Sequence, residues 1–445
     1  MPAYPNATID LQVKRDGSIR DAVSGAYATI TRAGSKYGLV DGRLVEYPAN
    51  KLAAERYPSG KGWWAAIEEQ RANSILNSQL LGTSGSSRLV PDLWIDALGS
   101  SSVVNGTVTK VASPHGDAIR VRAENIGASV IFPAIRQDVP VVAGQVVTFS
   151  SFFNNTSSFG TSGGGGCRMQ LVTRASVGGA TTGASQNISL PNGVTSWARA
   201  TYSHTMPAGT TILECRIFLV SLDPDGWAQF DIACPQLEVG ISPTSYIPTT
   251  TVAVTRPADL VTFALTGVSR GLTAETFGTL SGADWPTAST TNRFMLHSAP
   301  ASGNVNVLSL YQTAATNAVS SAFGDPSGAS VFGGTNADAA SRFEPLAHVL
   351  RRNGTTQHRL SRQRAARAIG EASGTNMAAN PTDWGGVLRI GMRLGNQQFL
   401  NGYFGRVVYL SSYASDAERD ALSTALLAGV SGLNRKRNRT ALGGF

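Results

Sequence analysis

Residues Asp231–Asp259 read DIACPQLEVGISPTSYIPTTTVAVTRPAD. Ile232 and Cys234 lie on one side of an alternating run. Pro235 interrupts that run, and Leu237 and Val239 resume it. Pro243, Pro248 and the threonines at 249–251 exclude a helix. Proline fixes φ, has no N–H and drives its predecessor to extended geometry, and threonine is stiff at χ1. The stretch is expected to hold the last strand of one β domain, an ordered linker and the first strand of another. A fainter version of the linker's end occurs at Thr29-Ile30-Thr31-Arg32-Ala33.

Outward from this stretch, composition points the same way. At 445 residues the chain is long enough for two or three domains with real cores. Apolar residues make up 42%, which excludes a disordered chain, while charged residues are only 15%, below the usual quarter. With 48 glycines and short alternating runs, an all-β protein with many turns is expected. The low charge also fits a surface partly covered in an oligomer. The net charge of +8 is partly clustered, in Arg351–Arg367 and Arg435–Arg439. A scattered, unspecific excess is favoured over attraction to nucleic acid or acidic polysaccharide. Three cysteines, Cys167, Cys215 and Cys234, with no CxxC spacing, are expected as buried free thiols. No signal-peptide pattern and no membrane-spanning apolar run is found, so the expectation is a protein made in a cytoplasm without membrane insertion.

Along the chain, residues 1–88 are poorly patterned apart from an alternating Ile9–Lys14 run and an expected hairpin over Tyr37–Tyr47 with Asp41-Gly42 at its turn. Ala65–Leu76 is open to either helix or extended chain. Residues 89–250 carry eight or so short strand candidates, from Val103–Val111 to Trp227–Ile232, and suit a jelly roll. The Gly/Ser-rich Ser157–Gly166 is expected as an exposed loop. Residues 251–430 read as a second sandwich, closed by a helix at Asp416–Leu427 with a Ser415/Glu418 capping box. Residues 431–445 form a basic tail. The fold class expected is all-β: two tandem β sandwiches, an extended N-terminal region and one short C-terminal helix.

Three motifs carry a resemblance. The first is Gln236-Leu237-Glu238-x-Gly240, then Thr244–Thr249, then Thr255-Arg256-Pro257-Ala258-Asp259. The second is Ile67-Glu68-Glu69-Gln70-Arg71-x-Asn73, and the third Phe404–Tyr409 followed by a short helix. Together they resemble bacteriophage tail-fibre and head-fibre proteins, and a gene-transfer-agent head spike would look the same. The resemblance implies a carbohydrate-binding-module-like jelly roll followed by a concanavalin/laminin-G-like sandwich. It also implies a homotrimer, with residues 1–88 attaching to other virion proteins or sister chains.

Candidate sites are few. Gly160-x-Ser162-x-Gly164 and Gly267-x-Ser269-x-Gly271 match G-x-S-x-G, but neither sits on a strand–turn–helix elbow. Five scattered histidines give no zinc spacing. Asp223 and Asp225 are the closest carboxylate pair in a turn. The resemblance allows a structural calcium there, and an ordinary Asx turn is favoured. No other cofactor is expected. Sugar binding by a β module needs an aromatic platform ringed by polar groups. Trp94, Trp197, Trp227, Trp285 and Trp384 are the platform candidates, each against the commoner alternative of core packing. Asn154, Asn155, Arg168, Asp223 and Asp225 are candidates for the hydrogen bonds. Arg351 and Arg352 open a basic stretch expected either to meet an acidic glycan or to form a solvated hairpin. No aromatics interleave it, so nucleic acid ranks last.

The expected function is a non-enzymatic virion appendage that binds host surface polysaccharide. A purely structural virion part and a polysaccharide depolymerase are the alternatives. The last would need two facing carboxylates, which no motif marks.

Overall fold

A computed structural model describes residues 3–428 apart from 57–61, 83–90, 98–103, 131–132, 162–166, 185, 191–192, 220–221, 266–267, 269–272, 284–292, 299–307, 313–318, 325–329, 337–345, 356, 365–369, 374–385, 392–399 and 401. The chain is all-β with one helix among the described residues, and it forms two units. The first joins both ends of the chain, residues 3–70 with 257–428, and the second is Arg71–Arg256.

The expected division at 88/89 and 250/251 is corrected to 70/71 and 256/257, and residues 3–70 are not an extended arm. Their strands complete the sheets of the C-terminal sandwich. Ile9–Val13 pairs antiparallel with Gly402–Leu410, Trp63–Ile67 pairs with the same strand, and Thr29–Thr31 pairs with Leu260–Ala264. The burial pattern explains why. All five residues of Ile9–Val13 are buried, so the strand needs cover on both faces, which an isolated arm lacks. Leu11, Ile30 and Ile67 share one core with Val261, Phe277, Leu350, Phe404 and Tyr409. The hairpin Lys36–Val40/Arg43–Tyr47 forms as expected. Asp41 and Gly42 both have positive φ (50° and 79°), the twist a two-residue turn demands. The choice at Ala65–Leu76 resolves to extended chain, in Trp63–Ile67 and Arg71–Asn73.

The helix Asp416–Leu427 has its capping box in place: the Ser415 side chain accepts from the Glu418 N–H, and Glu418 accepts from the Ser415 N–H. Such caps stabilise a helix by about 1 kcal/mol. Leu422 and Leu426 lie so close over Gly278 that a Cβ there would meet Leu422 Cδ2 at 2.8 Å. The basic tail lies outside the described residues.

The second unit is a jelly roll of two five-stranded sheets. The first sheet runs, by pairing order, Val104–Ser113, Gly116–Asn125, Leu222–Val239, Val146–Thr161, Ala198–Thr205. The second runs Gln186–Leu190, Cys167–Arg174, Ile212–Leu219, Ala134–Pro140, Ile95–Ala97. Phe149, Phe153, Phe230 and Ile232 meet Met169, Leu171, Cys215 and Ile217 in the core. Burying each such side chain is worth roughly 1.5–3 kcal/mol. The interruption expected at Pro235 is a bulge within one strand: the pairing slips between Ser150 and Phe152 opposite it, and Cys234 takes φ +53°. A bulge leaves a residue out of the ladder, so a proline without an N–H is tolerated there. The Gly/Ser-rich segment is strand as far as Thr161.

The motifs at the junction fold into one buried knot of this unit. Asn73 Oδ1 accepts from the N–H groups of Ile75 and Leu237, and its Nδ2 donates to Ile247 O (2.8 Å). Gln236 Oε1 accepts from Ile247 N–H, and Glu238 accepts from Thr244 N–H. Val254–Arg256 pairs with Arg71–Asn73.

Candidate functional site

Alternation along Leu222–Val239 decides which side chains of the first sheet reach solvent. Ala228, Phe230 and Ile232 point into the core, so Trp227, Gln229 and Asp231 point out. On the next strand Phe159 lies directly opposite Trp227, and on the other side Glu124 does. Phe159 is 67% exposed. Trp227 is half-buried, with the Arg122 guanidinium carbon 4.6 Å from its ring centroid. The cation over the ring face braces the indole. Glu124, Gln229 and Arg122 are half-buried and Asn105, opposite Glu124, is exposed.

The strand is distorted beside this pair. Between the Phe159–Trp227 and Thr161–Leu222 pairings one residue faces four, so Asp223-Pro224-Asp225-Gly226 bulges outward. Asp225 takes φ +62°, which aspartate tolerates better than most residues. The expected Asx turn is thus a wide bulge at the edge of the aromatic pair, with Asp223 half-buried and Asp225 exposed. Among the described residues no group of three or more His, Cys, Asp or Glu side chains stands ready for a metal ion.

The other expected site residues scatter. Trp94 is core, 4% exposed, donating from Nε1 to Asn77 O (3.4 Å). Trp197 is half-buried, edge-on to His115 at 5.6 Å, in a cluster with Phe152 and Arg199. Asn154 lies on the same outward side as Trp227, opposite Asp231, and Arg168 is on the second sheet. Trp285, Trp384, Ser162 and Ser269, and the Asn155 and Cys167 side chains, lie outside the described residues. Cys215 and Cys234 are buried free thiols, and burial pushes the Cys234 thiol up to about 12.

Arg351 and Arg352 require a correction. Both are fully buried. Arg351 donates to Ala414 O (3.0 Å) and Asp416 (2.8 Å) at the start of the helix, and Arg352 donates to Glu275 (2.8 Å). Their strand, Leu346–Asn353, is buried along nearly its whole length, which the charge run concealed. They are internal ties and not a ligand surface.

The residue that the sequence reading missed is Phe159. It is the one aromatic between Phe153 and Trp197. An unaccompanied aromatic amid serines and glycines is the signal that could have found it.

No protein family and no curated protein matches the chain in sequence. Several solved structures show partial similarity to the chain. The CBM40 module of the Ruminococcus gnavus IT-sialidase, solved with alpha2,3 sialyllactose, is 17% identical, over 34% of this chain and 83% of that one, with a TM-score of 0.27. A GH54 α-L-arabinofuranosidase is 14% identical over 44% of this chain and 41% of its own, with a TM-score of 0.30. The CBM22-1–CBM22-2 tandem of Paenibacillus barcinonensis Xyn10C is 11% identical over 79% of this chain and all of its own, with a TM-score of 0.24.

Proposed function

We propose that the chain is a non-enzymatic, glycan-binding appendage of a virion, and that its jelly roll holds a surface sugar on Trp227 and Phe159. One observation carries the binding reading: two aromatic side chains paired across neighbouring strands, with Phe159 left 67% exposed and polar groups on both flanks. Burying such a ring would release ordered water and favour the complex. The C–H face of a pyranose stacks on an aromatic ring while Glu124, Gln229 and Asn105 offer hydrogen bonds to its hydroxyls. Rigid strands position the pair, so little freedom is lost on binding. The virion role rests on the junction motifs quoted above, and multivalency in an oligomer would raise weak single-site affinity.

The test is to mix purified protein with bacterial cells and with their extracted capsule and lipopolysaccharide, assaying reducing ends in the same tubes. Saturable binding without release of sugar is expected. Release of reducing ends would point to a depolymerase. Neither binding nor release would leave a structural virion part as the better account.

A further inference from the structure

The outward side of the second sheet carries a different chemistry. Glu214, at its centre, has a fully buried side chain. Three arginines converge on it: Arg136 Nη1 and Arg216 Nε on one oxygen, and Arg174 Nε on the other at 2.7 Å. Register places them together. Arg216 pairs across the sheet with Arg136 on one side and Gln170 on the other, and Gln170 with Asn187. Arg168, two residues before Gln170, projects from the same side. Asp138, opposite Glu214, is the second carboxylate there. Among the described residues, four guanidiniums and two carboxylates therefore project from this face.

Neutralising one carboxylate takes one guanidinium. Here three share it, and the Arg136 and Arg216 side chains stay 26% and 30% exposed. Each guanidinium has five N–H donors, so donors remain beyond those Glu214 uses. Glu214 fixes the planes of Arg136 and Arg216, removing side-chain entropy that binding would otherwise cost. A fixed, cationic, planar donor set matches a carboxylate, which guanidinium binds through paired N–H groups. Gln170 and Asn187, further along the same row, offer amides to neighbouring hydroxyls.

We propose that this face is a second binding site, for the carboxylate of an acidic sugar in a polysaccharide, with Arg136 and Arg216 as the donors and Glu214 as their positioning residue. The site is on the other sheet from Trp227 and does not rest on that reading.

The experiment measures binding of the full chain to polygalacturonate, alginate and hyaluronate, with dextran and dextran sulfate as neutral and sulfated controls, at low and moderate salt. Saturable binding to at least one carboxylated polymer, at least tenfold tighter than to either control, is expected. Arg136→Gln and Arg216→Gln should each weaken it tenfold or more. On the wild-type protein the bound polymer should protect Arg136 and Arg216 from phenylglyoxal modification, a readout that holds even where a variant fails to fold. No saturable binding, equal binding to dextran sulfate, or modification of both arginines at the unprotected rate would each overturn the proposal.

Discussion

Arg32 and Asp259, 227 positions apart, form an ion pair of 2.9 Å in which neither side chain is exposed. Lys36 Nζ meets the other Asp259 oxygen at 2.5 Å, and the Glu68 N–H donates to it at 3.0 Å. Buried charge survives only when so paired. Removing one partner leaves the other uncompensated, typically at about 3–5 kcal/mol. Asp259→Ala is therefore expected to lower the melting temperature of the end-to-end sandwich sharply, measured by calorimetry. An unchanged melting curve would show that this knot does not hold the unit.

The same architecture predicts how fragments behave. Residues Arg71–Arg256 contain a whole jelly-roll core and should fold alone, with cooperative melting. Residues 257–435 without 1–70 lose the partners of Gly402–Leu410, leaving an unpaired strand edge, and should aggregate. Circular dichroism and size-exclusion chromatography of the two fragments check this.

Glu214 gives the jelly roll an acid limit. Burial works to raise its pKa, but hydrogen bonds from Arg216, Arg136 and Arg174 outweigh that and hold it at about 2. Unfolded, it titrates near 4.5. Its contribution is complete above pH 4.5 and is lost as pH falls toward 2, a change of about 3 kcal/mol at most. Glu214→Gln should flatten the stability–pH curve over that window, as followed by urea unfolding.

His115 acts in a higher window. Its ring stacks on Phe152 at 4.0 Å, and neither ring nitrogen makes a hydrogen bond. Burial, and then the Arg199 charge, lower its pKa from 6.5 to about 4. Between those values the unfolded chain binds the extra proton, so stability falls as pH drops from 6.5 to 4. His115→Phe keeps the stack and removes the unsatisfied nitrogens. It should melt no lower than the parent at pH 7 and clearly higher at pH 4.5.

Much of the fold is legible in the sequence because alternation and turn chemistry are local. The Asp41-Gly42 hairpin, the Ser415/Glu418 cap and most strands of 104–239 follow from residues within a few positions of each other. Membership of a sheet is not local. Ile9–Val13 reads as a strand, yet nothing near it says that its partner is Gly402–Leu410. Buried charges mislead for the same reason: Arg351 and Arg352 look like surface until Asp416 and Glu275 are in place. At the candidate site, the sequence offers Trp227 and a turn at Asp223/Asp225, whereas Phe159 lies in a segment whose composition hides a strand held by pairing with Trp227's own strand.

The central claim is that Trp227 and Phe159 hold a sugar ring. Its most direct test is binding of the wild-type protein and Phe159→Ser to an array of bacterial surface polysaccharides, with melting temperatures measured alongside. Phe159 is exposed, so its loss should shift stability by no more than about 0.5 kcal/mol. Saturable wild-type binding that falls at least tenfold in the variant, with melting unchanged, is predicted. Binding of equal strength by both proteins, or none by the wild type, would contradict the claim.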